Sequence, residues 1–326
     1  MVLQLERKTL VFRKEEFEYF HRGYLCRDSG ETYTDTALAE FNLRQVYNQY
    51  RAKYGIPFPD EIRGFRQTYG LSAGMMSRVL GLGINSYRNY EQGEVPSFAN
   101  ANLIHTVSKK VENLRMLVDL NRELTPRDKT RLYKRIKAVE DRNRDNADDR
   151  NFVQLLFEGR SPNRFTGYRK PNMEKLLGMI VFFAEKMKPS EIMMGQLLFY
   201  ADFAHYRQTG YSISGAQYLA QSFGPMPLRY GGLFDYADSM EYISIEVDDM
   251  GQGYLGKYLH KGPLHEPRPG VFTSRELKTL DFTFNGFKGT NAQKIMEHSH
   301  GEKAWIENKG QKQLIDYSYS FDLLHV

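Results

Sequence analysis

Three polar side chains near residue 88 have the types and the spacing needed to read DNA bases. Asn85, Arg88 and Asn89 fall at positions i, i+3 and i+4, so a helix would place them on one face. Asparagine can make two hydrogen bonds to adenine, and arginine can do the same to guanine or bind a phosphate. The pattern predicts a recognition helix, and the alternative is an ordinary helical hairpin whose polar face is only solvated. The predicted DNA contacts are Asn85, Ser86, Arg88, Asn89 and Arg78.

The residues before this face predict the first helix and the tight turn of a helix-turn-helix unit. Ser72 can accept hydrogen bonds from the free amides at the start of a helix. Met76 and Leu80 are four residues apart and share one helix face. Gly81 and Gly83 then supply the backbone freedom that a short turn requires. Because cap, apolar face, turn and polar face all agree, the sequence favours DNA binding over the solvated hairpin.

Further helices are predicted on both sides of this unit. Pro59 and Asp60 open one helix with an acidic charge at its positive end, and Pro96 and Ser97 begin another. We therefore expect residues 57–120 to form a compact DNA-binding domain of about five short helices, enough to bury a small core.

Length and composition indicate a folded protein with more than one domain. The chain has 326 residues, of which 13% are aromatic and 41% hydrophobic, which suits two or three packed domains rather than a disordered scaffold. No apolar run reaches the roughly 18–20 residues of a membrane span. The N-terminus lacks the basic-then-apolar order of a signal peptide, and the single Cys26 excludes an intrachain disulfide. We expect a cytoplasmic protein that does not bind membranes.

Positive charge is concentrated in the first half of the chain. Residues 1–170 contain 30 Lys and Arg against 22 Asp and Glu, a net charge of +8. Residues 171–326 contain 15 against 18, a net charge of −3. This asymmetry suits a chain that meets nucleic acid with its first half only, and the alternative is a basic surface that is merely solvated.

The segments that flank the predicted DNA-binding domain differ from it in composition. Residues 1–56 contain alternating apolar positions, including Leu10 and Phe12, that predict a short β-sheet. Residues 121–173 are rich in charge and predict an exposed helical linker that frays at Asp145–Asp149. This linker could bridge protomers, lie along the DNA backbone or merely space the domains.

The segment Tyr24–Glu31 resembles one knuckle of a zinc ribbon. Ser29 replaces the usual second cysteine, so Cys26 and His21 are the nearby ligands, and no second cysteine pair exists. A structural zinc site needs about four thiolate or imidazole ligands. We therefore predict no metal site and no cofactor, and expect hydrophobic contacts to hold the β segment together.

Three motifs taken in order resemble the MqsA/YgiT type of antitoxin: the degenerate knuckle, Asp60–Ser72 and Leu80–Glu91. That family joins an N-terminal zinc ribbon to a Cro/repressor-like helix-turn-helix, and its members bind a promoter as dimers. By this resemblance Asn85 reads a base. The family's second base-reading residue, commonly arginine, corresponds to Asn89, and Arg88 stands one place earlier. The resemblance implies a homodimer on double-stranded operator DNA with two-fold symmetry.

The second half of the chain resembles the Panacea (SocA-like) domain over roughly residues 174–320. The shared pattern is a leucine-rich helix with Tyr-Ala-Asp and a downstream His, a Gly-x-x-Ile-x-Gly turn, and Gly-Pro-x-Pro opening another helix. The resemblance implies a domain, residues 174–326, that binds and blocks a partner toxin, with different members paired to unrelated toxins. The matching segments are Met193–Asp202, His205, Gly210–Gly215, Tyr218, Ser222–Pro227, Phe272–Ser274, His298–His300 and Ala304–Trp305.

Six residues of these motifs are candidates for toxin contacts, and they also suit roles in the protein interior. Asp202 and His205, three residues apart, could pair on one helix face and hold a neighbouring loop. Tyr218 and Trp305 are either core aromatics or interface anchors. The candidates for toxin binding are Tyr200, Asp202, His205, Tyr218, Pro225 and Trp305.

A hydrolytic metal site is the enzymatic alternative. The segment Glu297–Glu302, together with Asp202 and His205, supplies carboxylates and imidazoles. His298 and His300 are two residues apart, so they point to opposite sides of a helix and converge only in an extended segment. Because the sequence contains no nucleophile elbow, phosphate loop or dinucleotide-binding glycine pattern, we predict that the chain is not an enzyme.

These patterns predict a mainly α fold with a small N-terminal β element (α+β). Residues 57–120 would bind an operator and repress the chain's own gene, and residues 174–326 would block the toxin of a type II toxin–antitoxin system, encoded by an adjacent gene. Two further alternatives stay open: a stand-alone or phage-borne transcriptional regulator, and a protease adaptor that delivers a bound partner for degradation.

Overall fold

The computed structural model describes residues 1–145, 161–249, 255–263, 270–310 and 313–326. The chain divides into two compact units, Met1–Leu155 and Leu156–Val326. Helices dominate both units, and the longest strands form an N-terminal hairpin, which confirms the predicted mainly α fold with a small N-terminal β element. In the described parts of the chain, no helix combines the length and the apolar character that crossing a membrane requires.

An antiparallel sheet opens the first unit, with strand order β1-β2-β3. The strands are β1 (Val2–Phe12), β2 (Glu15–Leu25) and β3 (Thr32–Tyr33). The turn between β1 and β2 consists of Arg13 and Lys14, both with positive φ, at 48° and 69°. Such a conformation is costly for residues other than glycine. The Arg13 guanidinium offsets this cost by donating hydrogen bonds to the carbonyl oxygens of Val95, at 2.9 Å, and Pro96, at 3.1 Å.

Side-chain amides of helix α1 (Thr36–Tyr54) bind the backbone of β2 as a neighbouring strand would. Gln45 accepts a hydrogen bond from the Phe20 amide at 3.0 Å and donates one to the Phe20 carbonyl at 2.8 Å. Asn42 binds Arg22 in the same two-way manner, at 2.9 and 3.0 Å. Because Asn42 and Gln45 are buried, these bonds satisfy backbone groups that would otherwise lose their water.

Six further helices complete the described part of the first unit. One apolar core includes Ile62, Met76, Tyr87 and Ile104 from four of them, and Ile136 from the last. That last helix lies within the segment predicted to be a charged linker, so this part of the segment packs against the first unit's core. The predicted fraying falls on residues that, apart from Asp145, lie outside those described. The helices are α2 (Pro59–Thr68), α3 (Ala73–Val79), α4 (Ser86–Gln92), α5 (Phe98–Lys109), α6 (Val111–Leu120) and α7 (Pro126–Asp145).

The second unit is built around a helix, α9, that is buried along most of its length. Its side chains are predominantly apolar all round, from Met193 to Tyr206, which is typical of a central helix rather than a surface one. Strands from two short antiparallel hairpins and several of the remaining helices pack against it. The elements are α8 (Met173–Met187), α9 (Glu191–Thr209), β4 (Tyr218–Gln221), β5 (Gly224–Pro227), α10 (Tyr230–Ser239), β6 (Ile243–Asp249), β7 (Leu255–Lys261), α11 (Ser274–Phe287), α12 (Ala292–Gly301), α13 (Lys303–Ile306) and a 3₁₀ helix (Tyr317–Asp322).

The amide contacts of α1 predict a specific loss of stability. Gln45→Ala removes both of its hydrogen bonds to the backbone of Phe20, which lie in a partly buried part of the sheet. We expect the free energy of unfolding of the first unit to fall by about 1–3 kcal/mol, measured by calorimetry of the full chain. Leu43→Ala, at an exposed position of the same helix, is the matched control and should change stability by less than about 0.5 kcal/mol. Equal losses in the two variants would contradict this role of Gln45.

Candidate functional site

Helices α3 and α4 form a tight pair whose contacts fix the position of α4. The Ser72 hydroxyl accepts a hydrogen bond from the Met75 amide at 3.1 Å, so α3 begins where the sequence predicted. Gly81 follows α3 with a φ of 66°, the left-handed conformation that glycine adopts easily. The buried Ser77 hydroxyl accepts a hydrogen bond from the Tyr87 amide at 3.2 Å and so joins the two helices directly.

A buried ion pair ties the other end of α4 to α2. The Arg66 guanidinium makes two bonds to the Glu91 carboxylate, Nε to Oε1 at 2.5 Å and NH2 to Oε2 at 3.0 Å. A third bond, from NH1, reaches the Leu71 carbonyl at 2.6 Å. A bidentate arginine–carboxylate pair has a defined geometry. It therefore holds α4 at a defined angle to the rest of the unit, and the sequence reasoning did not identify it.

The polar face of α4 points to solvent. Asn85, Arg88 and Asn89 are exposed, and Ser86 is half-buried at the start of the helix. Asn85 makes no side-chain capping bond, and within the described residues Arg88 has no hydrogen-bond or ion-pair partner. Ile84, just before the helix, is 75% exposed, which is unusual for so large an apolar residue. Sequence reasoning missed Ile84, although its place between Gly83 and Asn85 in the turn was a usable signal.

Arg78, the remaining predicted DNA contact, is engaged within the protein. Its guanidinium donates a hydrogen bond to the Glu123 carbonyl at 2.9 Å and lies 3.7 Å from the Asp128 carboxylate. Its side chain is 39% exposed and therefore accessible. Unlike Arg88, it already has partners within the protein.

In the second unit, the Asp202 carboxylate is completely buried and receives four hydrogen bonds. Its Oδ1 accepts the amides of Ile213, at 2.7 Å, and Ser214, at 2.9 Å. Its Oδ2 accepts the hydroxyls of Ser214, at 2.5 Å, and Tyr218, at 2.8 Å. Burial raises the pKa of Asp202 and these hydrogen bonds oppose that shift. The carboxylate therefore fastens the loop after α9 to the middle of α9.

His205 has a different partner from Asp202. Its Nδ1 lies 3.1 Å from the Thr279 hydroxyl of α11, and the ring is buried. Burial lowers the pKa of His205 to about 3, so the imidazole is neutral at neutral pH. The predicted partnership of Asp202 and His205 on one helix face is thus replaced by two separate contacts, one to a loop and one to a neighbouring helix.

Of the six candidate toxin contacts, five are buried and Trp305 is partly exposed. The Tyr200 hydroxyl donates to the Glu302 carboxylate at 3.3 Å, and Pro225 lies within β5. The Trp305 indole donates to the Gln221 carbonyl at 2.7 Å. These contacts support the interior roles that the sequence left open. In this structure the five buried side chains offer no surface to a partner.

The two histidines of the proposed hydrolytic site lie on helix α12 and face different neighbours. His298 stacks on His325, with ring centroids 4.2 Å apart, and His300 stacks on Trp305 at 3.9 Å. Nowhere in the described ranges do three or more His, Cys, Asp or Glu side chains converge in a way that could hold a metal ion.

The degenerate knuckle keeps the shape of a turn. The Gly30 amide donates to the Cys26 carbonyl, and the Cys26 amide donates to the Glu31 carbonyl, both at 2.9 Å. Hydrogen bonds from Ser29 lower the pKa of the Cys26 thiol. His21 lies against Tyr19 and Asn42, at 3.1 and 3.2 Å, and so takes part in the sheet's contacts with α1.

Residues 196–306 match the family described as "Antitoxin SocA-like, Panacea domain". The match begins within α9 and ends at the last residue of α13, inside the range over which the sequence resembles this family. The second unit therefore carries a Panacea domain, and that prediction is confirmed. No curated protein and no solved structure matches the chain. The resemblance of the first unit to MqsA-type antitoxins stays a prediction.

The buried His205 predicts how stability depends on pH. Its pKa is about 3 in the folded state, below the ordinary value of 6.5. The unfolded chain therefore binds the proton first as pH falls below 6.5, and the folded state loses stability from there downward. At pH 5 we expect His205 to cost up to about 2 kcal/mol relative to pH 8.

Trp305, the single tryptophan of the chain, reports the unfolding of the second unit by its fluorescence. In urea titrations of the full chain, the free energy of unfolding should fall less steeply between pH 6.5 and pH 5 in His205→Gln than in the wild type. Parallel curves for the two proteins would show that His205 does not carry this dependence.

Proposed function

We propose that the chain is an antitoxin of a type II toxin–antitoxin system. Its second unit would bind and block a cognate toxin, and its first unit would bind operator DNA and repress the chain's own gene. The observation that carries the proposal is the Panacea domain at residues 196–306, whose family is described as antitoxin-like. The surface of α4 supports the second half of the proposal.

DNA binding is supported by how α4 is built and what it exposes. Two contacts, from Ser77 and Glu91, fix its orientation, and its outer face carries polar side chains without internal partners. We propose that Asn85 and Asn89 contact base edges and that Arg88 contacts guanine or a phosphate. We propose that the exposed Ile84 contacts a thymine methyl group. Ser86 and Arg78 would bind phosphates, and Arg78 would exchange its contact with Asp128 for the DNA.

We propose that the toxin binds the outside of the Panacea domain rather than its family motifs. Because Asp202 and its partners are buried, they would shape the surface instead of touching the toxin. Two exposed apolar side chains on α11, Leu277 and Phe282, and one on α13, Ile306, are better placed for contact. Trp305 is partly exposed and remains a candidate anchor.

We infer binding rather than catalysis for the second unit. His298 and His300 stack on separate rings, and Asp202 and His205 bind separate elements. A catalytic site requires such groups to act on one reacting atom. The proposed partners, double-stranded operator DNA and a toxin made from a neighbouring gene, imply action in the cytoplasm. Operators with two-fold symmetry are bound by dimers, so we propose a homodimer.

The DNA arm of this proposal is tested by changing the exposed face of α4. The double variant Asn85→Ala, Arg88→Ala should lose at least about thirtyfold in affinity for the DNA upstream of the chain's own gene, since each of the two contacts is worth about 1–3 kcal/mol. The measurement is a gel-shift titration at fixed salt. The same variant should still co-purify with the product of the adjacent gene, because the toxin would bind the other unit.

A matched control removes the same residue types elsewhere on the first unit. Asn102→Ala with Arg127→Ala changes an exposed asparagine and an exposed arginine on α5 and α7. This control lowers the net charge equally and should keep most of the affinity. If both double variants bound the promoter equally well, the assignment of α4 as the recognition helix would be wrong.

A further inference from the structure

The two edges of the N-terminal hairpin differ: side chains of α1 bind the edge of β2, whereas the outer edge of β1 is open. The amides of Asn42, Gln45 and Gln49 bind the backbone of β2 along the edge that faces away from β1. Among the strands that the structure describes, β1 pairs with β2 alone. It is 11 residues long, contains no proline, and keeps one continuous register from Val2–Leu25 to Phe12–Glu15. Proteins usually shorten, bend or cover such an edge, because it can pair with another strand.

The outer face of β1 is apolar at both ends. Leu3 is 55% exposed and Val11 is 65% exposed, and both side chains lie on the face opposite α1. The side chains of Leu10 and Phe12 point the other way and pack against the core between the sheet and α1. The exposed positions therefore belong to a separate surface that the first unit does not cover.

We propose that β1 pairs antiparallel with β1 of a second copy of the chain, about a two-fold axis at Arg7. The sequence of β1 is complementary to itself about that point. In an antiparallel pair centred on Arg7, Leu3 lies opposite Val11, and Glu6 lies opposite Lys8. Each pair occurs twice because the interface is symmetric. The two hairpins then form one continuous sheet.

The charges of β1 select this register over its neighbours. Glu6 and Lys8 project from the same side of the strand, and both are partly exposed. Within one chain the Lys8 Nζ lies 3.1 Å from the Glu6 Oε2. Shifting the pairing by one side-chain repeat in either direction would place Glu6 opposite Glu6 or Lys8 opposite Lys8, which is unfavourable. The Arg7 guanidinium lies over the Phe20 ring of its own chain, 5.2 Å from the ring centre, and so is directed toward β2 rather than toward the symmetry axis.

The proposed dimer would supply the two copies of the chain that a two-fold operator needs, and in that respect it rests on the proposed function. The residues that would form the interface all lie in the N-terminal hairpin. Oligomeric state is measured without DNA, so a failure of the interface and a failure of promoter binding are distinguishable.

Charge reversal at two positions tests the interface. In the wild-type full-length chain, sedimentation at micromolar concentration should show a dimer. Glu6→Lys alone places lysine opposite lysine, and Lys8→Glu alone places glutamate opposite glutamate. Each should weaken dimerisation by at least about tenfold. Mixing the two variants restores opposite charges across the axis and should give a heterodimer, detectable by native mass spectrometry, and the double variant should dimerise like the wild type.

Control reversals away from the sheet separate this effect from net charge. Lys110→Glu and Glu112→Lys, both at exposed positions where α6 begins, should leave the dimer unchanged. Circular dichroism verifies that each variant is folded. A monomeric wild type would overturn the proposal. So would single variants that dimerise as well as the wild type, because the dimer would then form through another surface.

Discussion

One buried carboxylate, that of Asp202, holds the second unit in its shape. A fully buried charge is costly unless hydrogen bonds replace the water it has lost. Asp202 receives four such bonds, two from backbone amides of the loop after α9 and two from the hydroxyls of Ser214 and Tyr218. These four bonds connect the loop and the first residue of β4 to the middle of α9, and so help to position the hairpin β4–β5 against that helix.

Several side chains of the motifs that resemble the Panacea domain are buried. Tyr200, Asp202 and Tyr218, three of the residues on which the resemblance to the Panacea domain rests, lie in the protein interior. Exposed positions such as Leu277 and Phe282 lie on α11, outside those motifs. This division between interior motifs and exposed positions suits the proposed role of neutralising toxins, because surface residues can change without disturbing the fold.

Local patterns in the sequence predicted local structure well, and long-range contacts escaped it. Ser72 caps α3 as predicted, because a cap depends on residues three apart. The Arg66–Glu91 ion pair joins residues that are 25 positions apart in the sequence, and no periodic pattern in the sequence predicts it. Gln45 is a polar residue buried in a helix, where sequence rules expect an exposed one. The charge density of α7 predicted an exposed helix, whereas Ile136 packs into the core of the first unit. The Panacea motifs were recognised, and the interior roles that the sequence allowed for their residues agree with the burial of Tyr200, Asp202 and Tyr218.

The proposed role of the chain is to neutralise a toxin encoded beside it. The most direct measurement is bacterial growth when the adjacent open reading frame is expressed alone and then together with this chain. We predict that the neighbouring product arrests growth alone and that co-expression of the chain restores it. A toxic neighbour that this chain fails to neutralise, or neighbours that are harmless on either side, would contradict the antitoxin role.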